Sequence, residues 1–310
     1  MHKLLINKIK KYKSIIIAKH VKPDWDAQGS SMGLAYLIQQ NFPKKQVYIP
    51  GDRLDDNKDF LAKELTDEII KVSLVITVDT AVKERIDFNK FDLAKETFKI
   101  DHHINIDSYA DFEIVDENAI ACTQVITLWA NKMKLKWCAE AANNLYKGLL
   151  TDSGRFLFPN TKASTFEAAR ILLENGTNLK KIHDSLYVSD LKKKQYLNYA
   201  FSKLEVTKEG VGSIIITKED QKPWNYNYED YKSALGTMSG LSEIKIWALI
   251  IELDDEIKVS LRSRDFEIDK VANKYNGGGH KLASGCKLNK IEDYKKLVSD
   301  LKKVIKEGNK

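Results

Sequence analysis

Short apolar, β-rich runs alternate with longer stretches of helical spacing through the first half of the chain. The pattern predicts strands at 14–19, 46–50, 74–79, 96–101 and 112–115, and helices at 29–40, 58–65, 123–132 and 139–150. Alternation of this kind means parallel strands joined by crossover helices, hence an open α/β sheet. Ligands in such sheets bind at the carboxyl ends of strands, near the point where the strand order reverses.

Helical spacing over 163–174 ends at the C-cap pair Asn175-Gly176, and further helices are predicted at 178–186 and 190–204. From Gly212 the pattern changes to strands of antiparallel or mixed character at 213–217, 245–253 and 256–262, the last two joined by a tight turn at Asp254-Asp255. A helix over 265–275, a glycine-rich turn at 276–280, a strand over 283–288 and an amphipathic helix over 291–306 complete the chain. The expected organisation is a parallel-sheet domain at 1–187, a helical linker at 188–205 and a smaller α/β domain with a mixed sheet at 206–310. The active site is expected in the cleft between the two domains.

A length of 310 residues fits two domains, and 43% hydrophobic with 30% charged residues describes a globular chain rather than a disordered one. The net charge of +6 is a small excess on a strongly charged surface. It fits an anionic substrate and fits a plain composition bias equally well, so phosphate chemistry has to be argued from particular residues. Cys122, Cys138 and Cys286 are odd in number and lack CxxC spacing, which excludes a disulfide framework and a thiolate zinc site and suits a reducing cytoplasm. No run reaches the roughly 18 apolar residues of a membrane span, and the basic start of the chain lacks a signal-type apolar segment, so a cytoplasmic protein is expected.

Four clusters of acids and histidines trail four apolar runs: His20 with Asp24 and Asp26, Asp79, Asp101-His102-His103, and Asp152. All four are expected at strand ends. Taken singly, Asp24 and Asp26 read as loop or N-cap residues, and Asp79 and Asp152 as cap or turn residues. Taken together they are metal-like, since three of the six histidines fall within them and carboxylates gathered at strand ends resist burial unless a cation joins them. Histidine and carboxylate donors without cysteine favour Mn²⁺, then Mg²⁺, Co²⁺ or Zn²⁺, and a pair of such ions is the usual device for phosphoester hydrolysis. Gly29-Ser30 is expected to open a helix whose free amides could accept an anion.

The second half adds anion-binding features. Gly277-Gly278-Gly279 can adopt positive φ and present consecutive amides, His280 can add a contact, and Arg262 and Arg264 at alternate positions are expected to face one side.

These residues resemble the DHH phosphoesterase superfamily over nearly the whole chain. The motifs are His20-x-x-x-Asp24-x-Asp26-Ala27-x-Gly29-Ser30, Val78-Asp79-Thr80, Asp101-His102-His103 and Thr151-Asp152-Ser153-Gly154-Arg155-Phe156. Ser260-Leu261-Arg262-Ser263 and the run from Gly277 to Gly285 resemble the DHH-associated domain. Trp25, bulkier than expected, and Gln28, in place of an apolar residue, depart from the pattern.

The resemblance implies that His20, Asp24 and Asp79 hold one divalent ion and that Asp26, Asp79, His102 and Asp152 hold the other, with His103 facing the scissile phosphate. Catalytic roles fall to His103 and Asp79. Arg155, Arg262, Ser263, Arg264, Gly278, Gly279 and His280 are the implied substrate-binding set. The two-domain form is similar to nanoRNases, which implies Mn²⁺-dependent hydrolysis of short oligoribonucleotides and of pAp (3′-phosphoadenosine 5′-phosphate), by a chain that is compatible with a homodimer. A hydrolase of pApA, a family-II inorganic pyrophosphatase and a non-catalytic nucleotide- or RNA-binding module stand as alternatives.

Overall fold

The computed structural model describes residues 1–62 and 65–308, which form two compact units, Met1–Tyr187 and Val188–Lys310. The first is built from α1 (His2–Lys11), β1 (Ser14–Ala18), α2 (Trp25–Asn41), β2 (Gln46–Tyr48), α3 (Asp67–Ile70), β3 (Leu74–Val78), β4 (Glu96–Asp101), β5 (Phe112–Val115), α4 (Cys122–Lys132), α5 (Ala139–Asp152), α6 (Ala163–Glu174) and α7 (Leu179–Tyr187). Its five strands are all parallel in the order β2-β1-β3-β4-β5.

β1 and β3 are buried at every residue, so their apolar runs are continuous, as a sheet covered on both faces requires. Side-chain alternation sends Ile15, Ile17, Leu74, Ile76 and Val78 into the large core under the helices. Ile16 and Val75 join a smaller cluster with Ile70 and Phe91 on the opposite face. From β1 the chain crosses to one side to make β2 and then to the other to make β3, so the strand order reverses between β1 and β3. The carboxyl ends of those two strands border the crevice where a doubly wound sheet binds its ligand.

The second unit comprises α8 (Leu191–Ser202), β6 (Glu205–Val206), β7 (Val211–Ile216), α9 (Lys218–Gln221), α10 (Tyr228–Lys232), β8 (Ile246–Glu252), β9 (Ile257–Ser263), α11 (Asp269–Lys274), β10 (Gly278–His280), β11 (Ala283–Leu288) and α12 (Tyr294–Gly308). Its six-stranded sheet runs β10-β11-β9-β8-β7-β6 and is mixed, with only the β7–β8 pair parallel. α11 and α12 cover one face through Val271, Leu297, Leu301 and Ile305. α8, α10 and the 3₁₀ segment Ser233–Met238 cover the other. α8 lies in the segment read as a linker, and Tyr196 and Ala200 on it belong to this second core.

Several expected helices differ. Residues 58–62 are not helical: Phe60 has φ 58°, Asn57 accepts from the Asp59 amide, and Leu61 bridges to Ile49. Residues 63 and 64, which complete that prediction, lie outside the described residues. The helix expected over 265–275 shortens to Asp269–Lys274, because the Ser263 hydroxyl takes the Phe266 amide and the Lys281 carbonyl takes that of Ile268. α2 begins four residues before Gly29, and α5 runs two residues past Leu150.

Candidate metal centre and phosphate pocket

Three strands and one helix bring the acid and histidine clusters together. His20 follows β1, Asp79 follows β3, and Asp101, the last residue of β4, leads into His102 and His103. Asp152 is the exception to the strand-end expectation: it closes the last turn of α5, where the helix's partial negative charge favours a cation.

Asp24 is the N-cap of α2, and its Oδ1 accepts from the amides of Asp26 and Ala27, each at 3.0 Å. The anion-accepting amides expected at Gly29-Ser30 therefore lie inside the helix, and those at its true start are already taken. Gly29 serves packing instead, since a Cβ there would stand 2.5 Å from the Asn144 carbonyl oxygen of α5. Asp26 points inward, its Oδ1 accepting from the Thr123 amide at 3.0 Å and hydroxyl at 2.6 Å and its Oδ2 from the Cys122 amide at 2.7 Å. The N-terminus of α4 thus anchors a buried carboxylate that would otherwise be costly.

Seven residues converge as three overlapping groups, His20/Asp24/Asp79, Asp26/His102/Asp152 and Asp79/His102/His103. His20 Nε2 lies 3.8 Å from Asp24 and 3.6 Å from Asp79 Oδ2. His102 Nε2 lies 3.4 Å from Asp79 Oδ1, 3.6 Å from Asp152 and 3.8 Å from Asp26. These gaps exceed a hydrogen bond, whereas two donors bound to one cation at ~2.1 Å stand ~3 to 3.5 Å apart. Asp79 turns one oxygen to each histidine, and its Oδ1, fully buried, has no hydrogen-bond partner. Its φ of 51°, unusual for a non-glycine residue, is strain of the kind held at functional sites. The donor set fits a divalent cation.

The electrostatics carry the same signature. Burial would push both imidazoles down, but Asp24 and Asp79 beside His20, and Asp79 and Asp26 beside His102, raise them well above the usual range. Burial, followed by the charges of Asp79 and Asp152, holds Asp26 well above the carboxylate range. Asp152 is raised by burial and by Asp79 and Asp24. Asp79 and Asp24 are pulled down against their own burial, Asp79 by His102 and His20 and Asp24 by His20. Without a cation this cluster must retain protons, and a divalent ion does the same neutralising work.

Donor atoms are presented by neighbours that a motif does not reveal. His20 Nδ1 donates to the Val21 carbonyl at 3.0 Å, leaving Nε2 to the site. Asp101 is fully buried, and its Oδ1 accepts from the amides of His102 and His103 and from His103 Nδ1 at 2.8 Å. That bond leaves His103 Nε2 free on a side chain 42% exposed. Gln28 accepts the Leu54 amide at 2.7 Å, which explains a polar residue on a buried helix face. Trp25 carries Lys147 Nζ 3.2 Å from its ring centroid. Arg155 is exposed, in the left-handed region, with its guanidinium over Tyr187.

In the second unit a cavity of about 340 Å³ is lined by Arg262, Tyr228, Lys232, Lys258, Lys287 and Asn276 among others, with no carboxylate in its wall. Arg262 is half-buried and donates to the Leu261 carbonyl at 2.8 Å. Burial lowers its guanidinium, and among the described residues no carboxylate pairs with it. Arg264 does not share that face. β9 ends at Ser263, alternation stops there, and Arg264 donates to the Leu241 carbonyl on an exposed side chain. Ser263 is buried, its hydroxyl taking the Phe266 amide at 2.9 Å.

The glycine run is not a nest of positive-φ amides. Gly278, Gly279 and His280 form the edge strand β10, and only Gly279 has positive φ. Gly277 borders the cavity, where a Cβ would meet the Gly285 carbonyl oxygen at 2.1 Å, so the strands can approach there only with glycine. His280 is exposed, and its carbonyl accepts from Ser284 Oγ at 2.8 Å.

Residues 14–151 match the DHH family N-terminal domain and residues 211–307 the DHHA1 domain. The Bacillus subtilis protein named bifunctional oligoribonuclease and PAP phosphatase NrnA is 33% identical over 308 residues, covering 98% of both chains. A Mycoplasma genitalium protein of the same name is 34% identical over 313 residues, 97% of this chain and 96% of that one. The crystal structure of an exopolyphosphatase-related protein from Bacteroides fragilis, 22% identical, covers 98% of this chain and 97% of its own with a TM-score of 0.85, a likeness of fold.

Proposed function

This chain belongs to the DHH family of phosphoester hydrolases, and from that premise we propose that it hydrolyses short oligoribonucleotides to nucleoside 5′-monophosphates and pAp to AMP with two Mn²⁺ ions. The observation that carries the reading is the Asp79 carboxylate, one oxygen turned to His20 and the other to His102. His20, Asp24 and Asp79 would hold one ion, and Asp26, Asp79, His102 and Asp152 the other. Imidazole and carboxylate donors without thiolate favour Mn²⁺. A pair of divalent cations, when bound, supplies neutralisation of phosphate charge and a water acidified at neutral pH.

The protein's own groups do the rest. His103, held through Nδ1 by Asp101, turns Nε2 toward the phosphate under attack and stabilises its charge. Arg262, a guanidinium without a carboxylate, gives the second unit a group that takes phosphate. The names of the full-length relatives from Bacillus subtilis and Mycoplasma genitalium support these substrates. No helix among the described residues is long and apolar enough to cross a membrane, and the three free cysteines suit a cytoplasmic enzyme.

One assay panel with Mn²⁺ tests the reading, comparing RNA of graded length, pAp, pApA, cyclic di-AMP and pyrophosphate. Preference for RNA of a few nucleotides together with pAp supports it. Turnover confined to pyrophosphate, or to pApA alone, overturns it.

A further inference from the structure

Lys99 lies in the middle of β4, between Phe98 and Ile100, and is 1% exposed. A lysine inside a parallel sheet is expensive unless its ammonium is met by charge and hydrogen bonds. Lys99 Nζ donates to the Ala81 carbonyl at 3.1 Å, the Asn105 side-chain oxygen at 3.2 Å and the Asp107 carbonyl at 3.1 Å, and lies 4.9 Å from the Tyr109 ring centroid. It also stands 3.7 Å from Asp101 Oδ2, an oxygen that is buried and has no hydrogen-bond partner.

The other oxygen of Asp101 holds His103 Nδ1. One side chain therefore ties the loop after β3 to the loop after β4 and faces the carboxylate that orients His103. We infer that Lys99 is a positioning residue of the hydrolytic reaction, acting through Asp101 to fix the His103 ring against the substrate. The inference rests on the role proposed above for His103.

The chemistry separates this from a purely structural strut. Without the ammonium, Asp101 keeps its three donors on one oxygen but loses the charge opposite the other, and the ring it holds is free to shift. The Lys99 ammonium makes no hydrogen bond or ion pair with His20, Asp24, Asp26, Asp79, His102 or Asp152, so metal affinity is expected to persist. The rate then falls through kcat, while KM for the substrate changes little.

The test is a double-mutant cycle on the full-length protein between Lys99→Met and His103→Ala, with kcat, KM, Mn²⁺ affinity and melting temperature measured for each variant. Lys99→Met is expected to lower kcat ~10- to 100-fold with KM within about 3-fold and Mn²⁺ affinity unchanged. In the His103→Ala background it should cost nothing further. Lys99→Arg, which keeps the charge, should recover most of the rate and stands in where the methionine variant fails to fold; the cycle is then closed with Lys99→Gln at low temperature. Losses from Lys99 and His103 that multiply overturn the inference alone. A fully active His103→Ala overturns the reading of His103 and the inference with it.

Discussion

At the scale of single residues the site depends on Asp79, whose two oxygens serve two histidines and one of which has no other partner. Asp79→Ala and His102→Ala each remove a donor that no neighbour replaces, and at least ~100-fold loss of Mn²⁺-stimulated hydrolysis is expected, with weaker Mn²⁺ binding by calorimetry. Wild-type rates in either variant would remove the shared-ion assignment. Arg262→Ala leaves every donor in place. Losing one charge-assisted phosphate contact, about 1.5–3 kcal/mol, should lower kcat/KM on pAp by roughly 10- to 150-fold with Mn²⁺ binding unchanged. The gathering of acids and histidines was legible from sequence because histidine and aspartate have little reason to recur after apolar runs. Arg264 was misjudged because strand alternation was carried one residue past the end of β9. Lys99 was passed over although a lysine flanked by Phe98 and Ile100 is itself a signal.

At the scale of elements the site's precision comes from α2, α4 and α5 packed closely. Gly148 on α5 is a close point where three elements meet: a Cβ there would stand 2.6 Å from Thr123 Cγ2, 2.9 Å from the Trp25 carbonyl oxygen and 3.0 Å from Asp26 Cα. Two of those atoms are backbone and cannot swing aside. Gly148→Ala must separate α5 from the first turn of α2, moving Asp152 on one and Asp26 on the other. Overpacking of this sort costs ~1–3 kcal/mol, so a lower melting temperature and weaker Mn²⁺ binding are expected together. Full metal affinity in a destabilised variant would show that the helices move without the ligands. The elements themselves were largely legible, since β1, β3 and β4 are apolar runs and α6 has clean helical spacing. Their ends were not. Asp24 as a cap shifts the start of α2 to Trp25, four residues before the predicted start at Gly29. The helix predicted over 58–65 had helical composition, but within the described residues 58–62 Phe60 in the left-handed region breaks it.

At the scale of the whole molecule the two units have separate cores, with no hydrophobic cluster among the described residues drawing on both. Among the described residues all the metal-ligand candidates belong to the first unit, so Mn²⁺ should stabilise that unit against unfolding. The gain is about 2.7 kcal/mol when free metal is 100 times Kd. The second unit carries its own pH sensitivity. Burial would raise Asp220, yet Lys203, Tyr199 and Thr217 hold its carboxylate at about 2. A depressed carboxylate contributes stability that is present above its unfolded value near 4 and is lost as pH falls toward 2. Calorimetry should therefore resolve two handles on two transitions. Chelation lowers one melting temperature at neutral pH, whereas Asp220→Asn lowers the other by a few degrees at pH 7 and flattens its decline between pH 4 and 2. If chelation and Asp220→Asn shift a single common transition by the same route, the units do not unfold separately, and a metal bound in the first would then also stabilise the Arg262 pocket of the second.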